Sequence, residues 1–271
     1  MSRHSITYIL AALLPLTPVS CSVKEDRDVC PAYLHVRSDG HVGEPGFGKP
    51  LTYTVSTASE QVHERSAWPF AEFTGKDGHI FRVPRKERVD VTVAGGLADM
   101  AFIGDVLRIT PGRECDSLVC GGGTIWIPGD AGELKVPLHR EYCTLTLAIA
   151  GSVTIPYPYR FLVVGGVDGY TLPDVTPHPG PFRVRCEALP SRTAQVRLPR
   201  QLDGSLRIEA HSAEDGELVA EMPVGEVIAR MGYDWRKPDL DDITVEVDFA
   251  RTEFTVRVND WSECVTIKIV I

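Results

Sequence analysis

The sequence predicts an all-β protein built of β-sandwiches, and three features carry that expectation. Hydrophobicity alternates with period two along much of the chain. The alternating runs are short and are bounded by Gly, Pro and Asp. Helical periodicity is scarce: Val224 to Met231 reads as one short helix, and Thr57 to Ser66 is a weaker helical candidate. Many short strands separated by turn residues fit sandwiches better than a parallel sheet with crossover helices.

The runs follow in order. Ala32 to Val36 alternates, and Leu51 to Val55 follows the Gly/Pro-rich stretch from Gly43 to Pro50. His79 to Val83, Val89 to Ala94, Ile125 to Ile127 and Leu134 to Leu138 complete a first half. The second half carries Thr144 to Ala150, Tyr159 to Val164, Phe182 to Glu187, Ala194 to Leu198 and Leu206 to Ala210. Ile243 to Phe249, Glu253 to Val258 and Val265 to Ile271 close it. The expected boundary lies near Pro137 to His139, giving one sandwich over 31–138 and another over 139–271. No residue-level repeat is visible between them, so any likeness between the halves is expected to be architectural.

The first twenty residues read as an export signal. Arg3 and His4 make a short n-region, and Ile6 to Leu16 is apolar apart from Thr7 and Pro15. That run has the length of a signal-peptide h-region and is too short to span a bilayer, which takes about 20 apolar residues. Ser20 then precedes Cys21, which resembles a bacterial lipoprotein cleavage site, with Pro18 standing where an aliphatic residue is usual. Residues 1–20 are therefore expected to be the signal peptide and Cys21 the lipid-bearing residue. The charged run Lys24-Glu25-Asp26-Arg27-Asp28 has little to pack, so 21–30 reads as a tether. It resembles the surface-export signal of bacteroidete lipoproteins. One acyl chain gives marginal membrane binding, whereas two give stable anchoring.

Charge excludes one class of partner. The chain of 271 residues has a formal charge of −9, and removal of Arg3 with the signal takes it one unit further negative. Nucleic-acid binding needs a basic face, so no nucleic-acid partner is expected. Hydrophobic residues at 43% and charged residues at 24% are those of a folded, globular chain.

Six cysteines remain after Cys21: Cys30, Cys115, Cys120, Cys143, Cys186 and Cys264. An oxidising compartment permits disulfides among them. Cys143 is in phase with Leu145 and Leu147, and Cys186 with Phe182 and Val184, which points both into a core. Cys115 and Cys120 flank a turn and could pair locally. No CxxC pair is present, so no zinc site is expected.

Motifs for chemistry are missing. There is no GxSxG, HExxH, Walker or GxGxxG sequence. Gly121-Gly122-Gly123 does not open a helix and reads as a flexible hairpin turn rather than a phosphate loop. Asp239, Asp241 and Asp242 lack calcium-loop spacing and read as a solvated acidic loop. The histidines have no carboxylate or cysteine partner at a diagnostic spacing. The chain is expected not to be an enzyme and to need no cofactor or metal. A glycosidase's two carboxylates, however, can lie far apart in sequence. Trp68, Trp126, Trp235 and Trp261 could form a sugar platform, though aromatics at such positions commonly pack a core or its rim.

Four segments together resemble the FimB-like anchor and accessory subunits of bacteroidete fimbriae. They are Cys21 to Pro31, entering a strand; His79 to Gly96; Glu133 to Thr146, with Val-Pro-Leu-His-Arg-Glu; and Thr255 to Trp261, followed by a closing strand. The resemblance implies two tandem transthyretin-like β-sandwich domains, no catalytic residues and a lipid on Cys21. It implies an outer-membrane lipoprotein, exposed at the surface, that holds the base of a fimbrial polymer. Its partners would be fimbrial subunits, joined by β-strand addition. Val265, Ile267, Ile269 and Ile271 share one face of the last strand, which fits either a partner-binding strand or one that completes its own sandwich. A surface glycan-binding lipoprotein is the alternative, favoured if two or more tryptophans are exposed on one face. A lipid-anchored hydrolase would instead need convergent carboxylates in a cleft.

Overall fold

The structure is a computed structural model. It describes residues 30–38, 51–58, 61–62, 78–151, 158–187, 192–259 and 261–269. Cys21, most of the tether, Trp68 and Ile271 lie outside the described residues. The chain is nearly all β, as its alternation predicts.

The first part of the chain supplies β1 (Ala32–Arg37), β2 (Thr52–Thr57), β3 (Gln61–Val62), β4 (His79–Val83) and β5 (Glu87–Gly95). It continues with β6 (Ala101–Ile103), β7 (Val106–Arg108), β8 (Val119–Ile127), β9 (Ala131–Lys135) and β10 (His139–Arg140). Then follow β11 (Tyr142–Ile149), β12 (Tyr159–Thr171), β13 (Thr176–Cys186), β14 (Thr193–Pro199), β15 (Arg207–Ser212) and β16 (Leu218–Met222). The helix α1 (Val224–Arg230) and strands β17 (Ile243–Asp248), β18 (Glu253–Val258) and β19 (Cys264–Lys268) end the chain.

Two pairs of sheets result. A sheet ordered β4-β1-β9 and one ordered β10-β8-β5-β2-β3 enclose a core that includes Leu34, Tyr53, Phe81, Val91 and Ile127. A sheet ordered β14-β11-β17-β18-β19 and one ordered β16-β15-β12-β7-β6, with β13 also on β12, enclose a larger core. Cys143 and Cys186 lie in that second core, as strand phase predicts. In each half a central strand is antiparallel to one neighbour and parallel to the other: β1 to β4 and β9, and β11 to β14 and β17. The order β8-β5-β2-β3 corresponds to β16-β15-β12-β13. The halves thus share one topology. A short residue-level echo becomes visible once the strands are aligned. Val83-Pro84-Arg85 leaves β4 as Leu198-Pro199-Arg200 leaves β14.

The halves also exchange strands. The connection from β5 to β8 carries β6 and β7 away from the first sandwich, and β7 pairs with the end of β12. Met100, Leu107, Ile109, Cys115 and Leu118 from this excursion are buried in the second core. The buried Asp116 carboxylate holds the excursion's start by accepting hydrogen bonds from the backbone N–H groups of Ala98, at 2.7 Å, Asp99 and Met100. In return, β10 adds to β8 of the first sandwich.

Several local expectations are corrected. Thr57 ends a strand and Gln61–Val62 pairs antiparallel with Val55 and Ser56, so these residues of the helical candidate are strand, while its residues 59–60 and 63–66 lie outside the described residues. Pairing at a sheet edge satisfies backbone groups that a short isolated helix would leave to water. Gly121, Gly122 and Gly123 lie inside β8 rather than in a hairpin turn. A Cβ on Gly121 would sit 1.9 Å from the Pro137 carbonyl oxygen, and one on Gly122 1.8 Å from that of Pro173. These glycines serve close backbone approach, not turn flexibility. β13 starts at Thr176 and runs through Pro177 and Pro179, well before the run expected from Phe182. Among the described residues its one ladder is with β12, beside an isolated bridge from Val184 to Gly112, and such an edge position tolerates residues lacking an N–H.

Candidate functional site

The last strand is built as an edge. β18 and β19 pair antiparallel, with Phe254 opposite Ile267 and Val256 opposite Val265. Alternation puts Val265 and Ile267 against the second core, half-buried, and Ile269 inside it. Cys264, Thr266 and Lys268 are exposed, and Thr266 Oγ1 lies 2.8 Å from Thr255 Oγ1 on the outer face. The N–H of Ile269 donates to the Thr252 carbonyl at 2.8 Å, extending the grip by one residue. Three of the four residues expected to bind a partner therefore pack on their own sheet, and Ile271 lies outside the described residues. β19 is the last strand of its sheet, and its second edge has no ladder among the described residues. Unpaired N–H and C=O groups on such an edge are a template for another strand.

The acidic loop before β17 is spent on structure. Asp239 Oδ1 accepts from the Arg140 backbone N–H at 3.0 Å, and Asp242 Oδ1 accepts from the Thr144 N–H at 2.7 Å and from the Arg140 guanidinium. Lys237 Nζ donates to Asp241 Oδ2 at 2.8 Å. The loop is thus clamped to the entry of β11 rather than simply solvated. Among the described residues no group of three or more His, Cys, Asp or Glu is arranged to hold a metal ion.

Two ion-pair clusters lay beyond sequence reasoning. His178 Nδ1 lies 3.0 Å from Asp168 Oδ1, and Asp168 also binds the Arg108 guanidinium of β7. Glu209 accepts from Arg183 and from Arg207, and lies 3.0 Å from His211 Nε2. Burial raises the Glu209 pKa, but the bonds to His211 and Arg183 outweigh it and hold the carboxyl below its usual range. In both clusters the strands bring the partners together, and the local signal is an alternating charge pattern too common to interpret.

At the joint between the sandwiches, Arg200 Nε donates to Glu141 Oε2 at 2.8 Å. Its other nitrogens donate to the carbonyls of Trp235, Lys237 and Pro238. Tyr170 Oη donates to the Glu141 carbonyl and accepts from the Arg200 backbone N–H at 3.0 Å. Burial raises the Glu141 carboxyl despite the Arg200 guanidinium beside it.

All six described cysteines are free thiols, so Cys115 and Cys120 do not pair. Both are buried, in the second core, and burial raises their pKa. Burial also pushes Cys143 and Cys186 up to about 12. Of the described tryptophans, Trp126 is 58% exposed. Trp235 and Trp261 are partly buried and pack around Tyr233, with centroid distances of 4.7 and 6.4 Å. A platform of two tryptophans on one face is not found among the described residues.

No protein-family model matches this chain. No curated protein matches it either. Solved structures do. The fimbrial anchor protein Mfa2 from Porphyromonas gingivalis is 12% identical, with a TM-score of 0.59 over 86% of this chain and 98% of its own. A candidate polysaccharide-binding protein (DUF1812) from Bacteroides thetaiotaomicron is 10% identical, also at 0.59, over 88% and 98% of the two chains. A candidate adhesin from Bacteroides ovatus is 13% identical, at 0.58, over 87% and 95%. The chain shares its fold with these three proteins over 86–88% of its length.

Proposed function

We propose that this protein is a fimbrial subunit of the anchor or accessory kind, held at the outer membrane by lipid on Cys21. In this reading 31–138 and 139–271 form the two sandwiches, joined by the strands they exchange. The observation that carries the proposal is the edge strand β19. It is bonded to β18 on one side and has no ladder on the other among the described residues. A strand from a neighbouring subunit would add there through main-chain hydrogen bonds, with side chains in alternate pockets setting the choice of partner. The likeness in fold to a fimbrial anchor protein supports this use of the architecture.

Two experiments test it. Mass spectrometry of the mature N-terminus from membrane fractions should find two or three acyl chains on Cys21, and Cys21→Ala should release the protein from the membrane. An unmodified N-terminus in a soluble fraction would remove the anchor. Deleting Val265 to Ile271 should abolish fimbrial assembly, but it also removes the buried Ile269. Proline placed in turn at 265, 266, 267 and 268 separates the two effects. Where the N–H points away from β18, proline removes an outward donor and spares the β18 ladder. A folded variant of that kind should fail to assemble, and normal assembly by it would refute docking at this edge.

A further inference from the structure

Beyond strand docking, the joint between the sandwiches contains a second feature. A cleft of about 270 Å³ lies between the outer face of β2 and β5 and two turns that reach over it, Gly104-Asp105 and Leu172-Pro173. Its floor is polar. Thr54 faces Thr92 across the ladder, and Ser56 faces Asp90. Val91 and Val93 point into the first core, so Thr92 between them points outward. Even so, Thr92 is only 2% exposed and Thr54 8%, because the joint covers them.

Thr54, Ser56 and Thr92 line the cleft, with Asp105 at its rim. Asp90 is already occupied. Its Oδ1 accepts from Arg88 Nε at 3.0 Å and from Thr124 Oγ1 at 2.5 Å. On the same face of β8, two residues beyond Thr124 and opposite Arg88, stands the exposed Trp126. Two residues of strand place its Cα about 7 Å along from that of Thr124.

We infer that this cleft binds one ring of a neutral oligosaccharide, with Trp126 stacking on a neighbouring ring. The chemistry selects that ligand. Thr54, Ser56 and Thr92 can each donate and accept, which suits sugar hydroxyls, and Asp105 adds a strong acceptor. Arg88 neutralises Asp90, so the floor does not present a paired-carboxylate cation site. An aromatic face beside a polar cleft is the amphipathic surface that a sugar ring offers in return. Sites of this kind favour domain junctions.

The test uses the full-length protein in a detergent without sugar headgroups. Xylohexaose, mannohexaose and maltohexaose are the probes, read by saturation-transfer NMR and calorimetry. At least one should bind saturably. Thr92→Val, which keeps the side chain's shape, and Asp105→Asn should each weaken binding about fivefold to tenfold, the loss of one hydrogen bond. Trp126→Ala should weaken the hexasaccharide more than the matching monosaccharide. Unchanged melting of Asp105→Asn, an exposed position, keeps the test valid if Thr92→Val unfolds. Binding of none of the three sugars, binding unaltered in these variants, or binding of calcium or spermidine alone would overturn the inference. Assembly through β19 would be unaffected by any of those results.

Discussion

The two sandwiches arrange their principal strands in the same order and differ in what joins them. In the first, the link from β5 to β8 is the long excursion from Gly96 to Leu118; in the second, the link from β15 to β16 is a turn from Ala213 to Glu217. The first returns from β8 to β9 through Pro128-Gly129-Asp130, while the second inserts α1 and the Tyr233 loop before β17. Equivalent arginines take different roles for that reason. Arg85 bonds Asp130 at 2.6 Å, and that carboxylate is 62% exposed. Arg200 meets Glu141, whose side chain is only 8% exposed, and three loop carbonyls. A strand framework can be reused, but the burial of its ion pairs is set by the connections laid over it.

The comparison breaks most directly at these arginines. Arg200→Ala should cost about 3–5 kcal/mol, since it strands a buried carboxylate. Arg85→Ala should cost about 1 kcal/mol, because its partner can turn to water. Urea unfolding of both variants measures the difference, and equal costs would mean that the connections do not matter. Next in size is Gly122→Ala in β8, where the new Cβ meets the carbonyl oxygens of Pro173 and Val91. It should cost about 1–3 kcal/mol. Ala220→Gly in the equivalent strand β16 should cost less, about 1 kcal/mol, from propensity and one lost methyl.

A smaller effect concerns pH. The folded Glu209 carboxyl is held below its unfolded value, so its stabilisation is complete above the unfolded pKa of about 4.3 and is lost as pH falls through the lower folded value. Glu209→Gln should therefore flatten the acid limb of stability against pH and leave its alkaline limb alone. The smallest change is purely chemical. Iodoacetamide should modify the exposed Cys30 and Cys264 in the folded protein and spare Cys115, Cys120, Cys143 and Cys186 until urea is added.

Much of this architecture was legible in the sequence. The alternating runs from His79, Val89, Thr144, Tyr159, Ala194, Ile243 and Glu253 all became strands, and Val224 became the start of the one helix among the described residues. What escaped was set by distant neighbours. The glycines of β8 read as a turn until Pro137 and Pro173 are seen against them. The strand expected from Phe182 begins at Thr176, since its place at an edge accommodates Pro177 and Pro179. His178 and His211 showed no partner because theirs arrive across a hairpin or on an alternate residue of one face. The cleft residues Thr54, Ser56 and Thr92 gave no signal at all, since polar residues on the outer face of a strand are ordinary.

The sequence by itself determined the all-β class, the helix that starts at Val224, the inward phase of Cys143 and Cys186, and the apolar face of the closing strand. Each follows from a period of two or of about 3.6 residues, and a period is written locally along the chain. Tertiary structure decided the shared topology of the halves, the exchange of β6–β7 for β10, the burial of Arg200 and Glu141, and the polar cleft at the joint. Those depend on which strands meet and in what register. Register is fixed by contacts between residues far apart in sequence, where no local pattern records the partner.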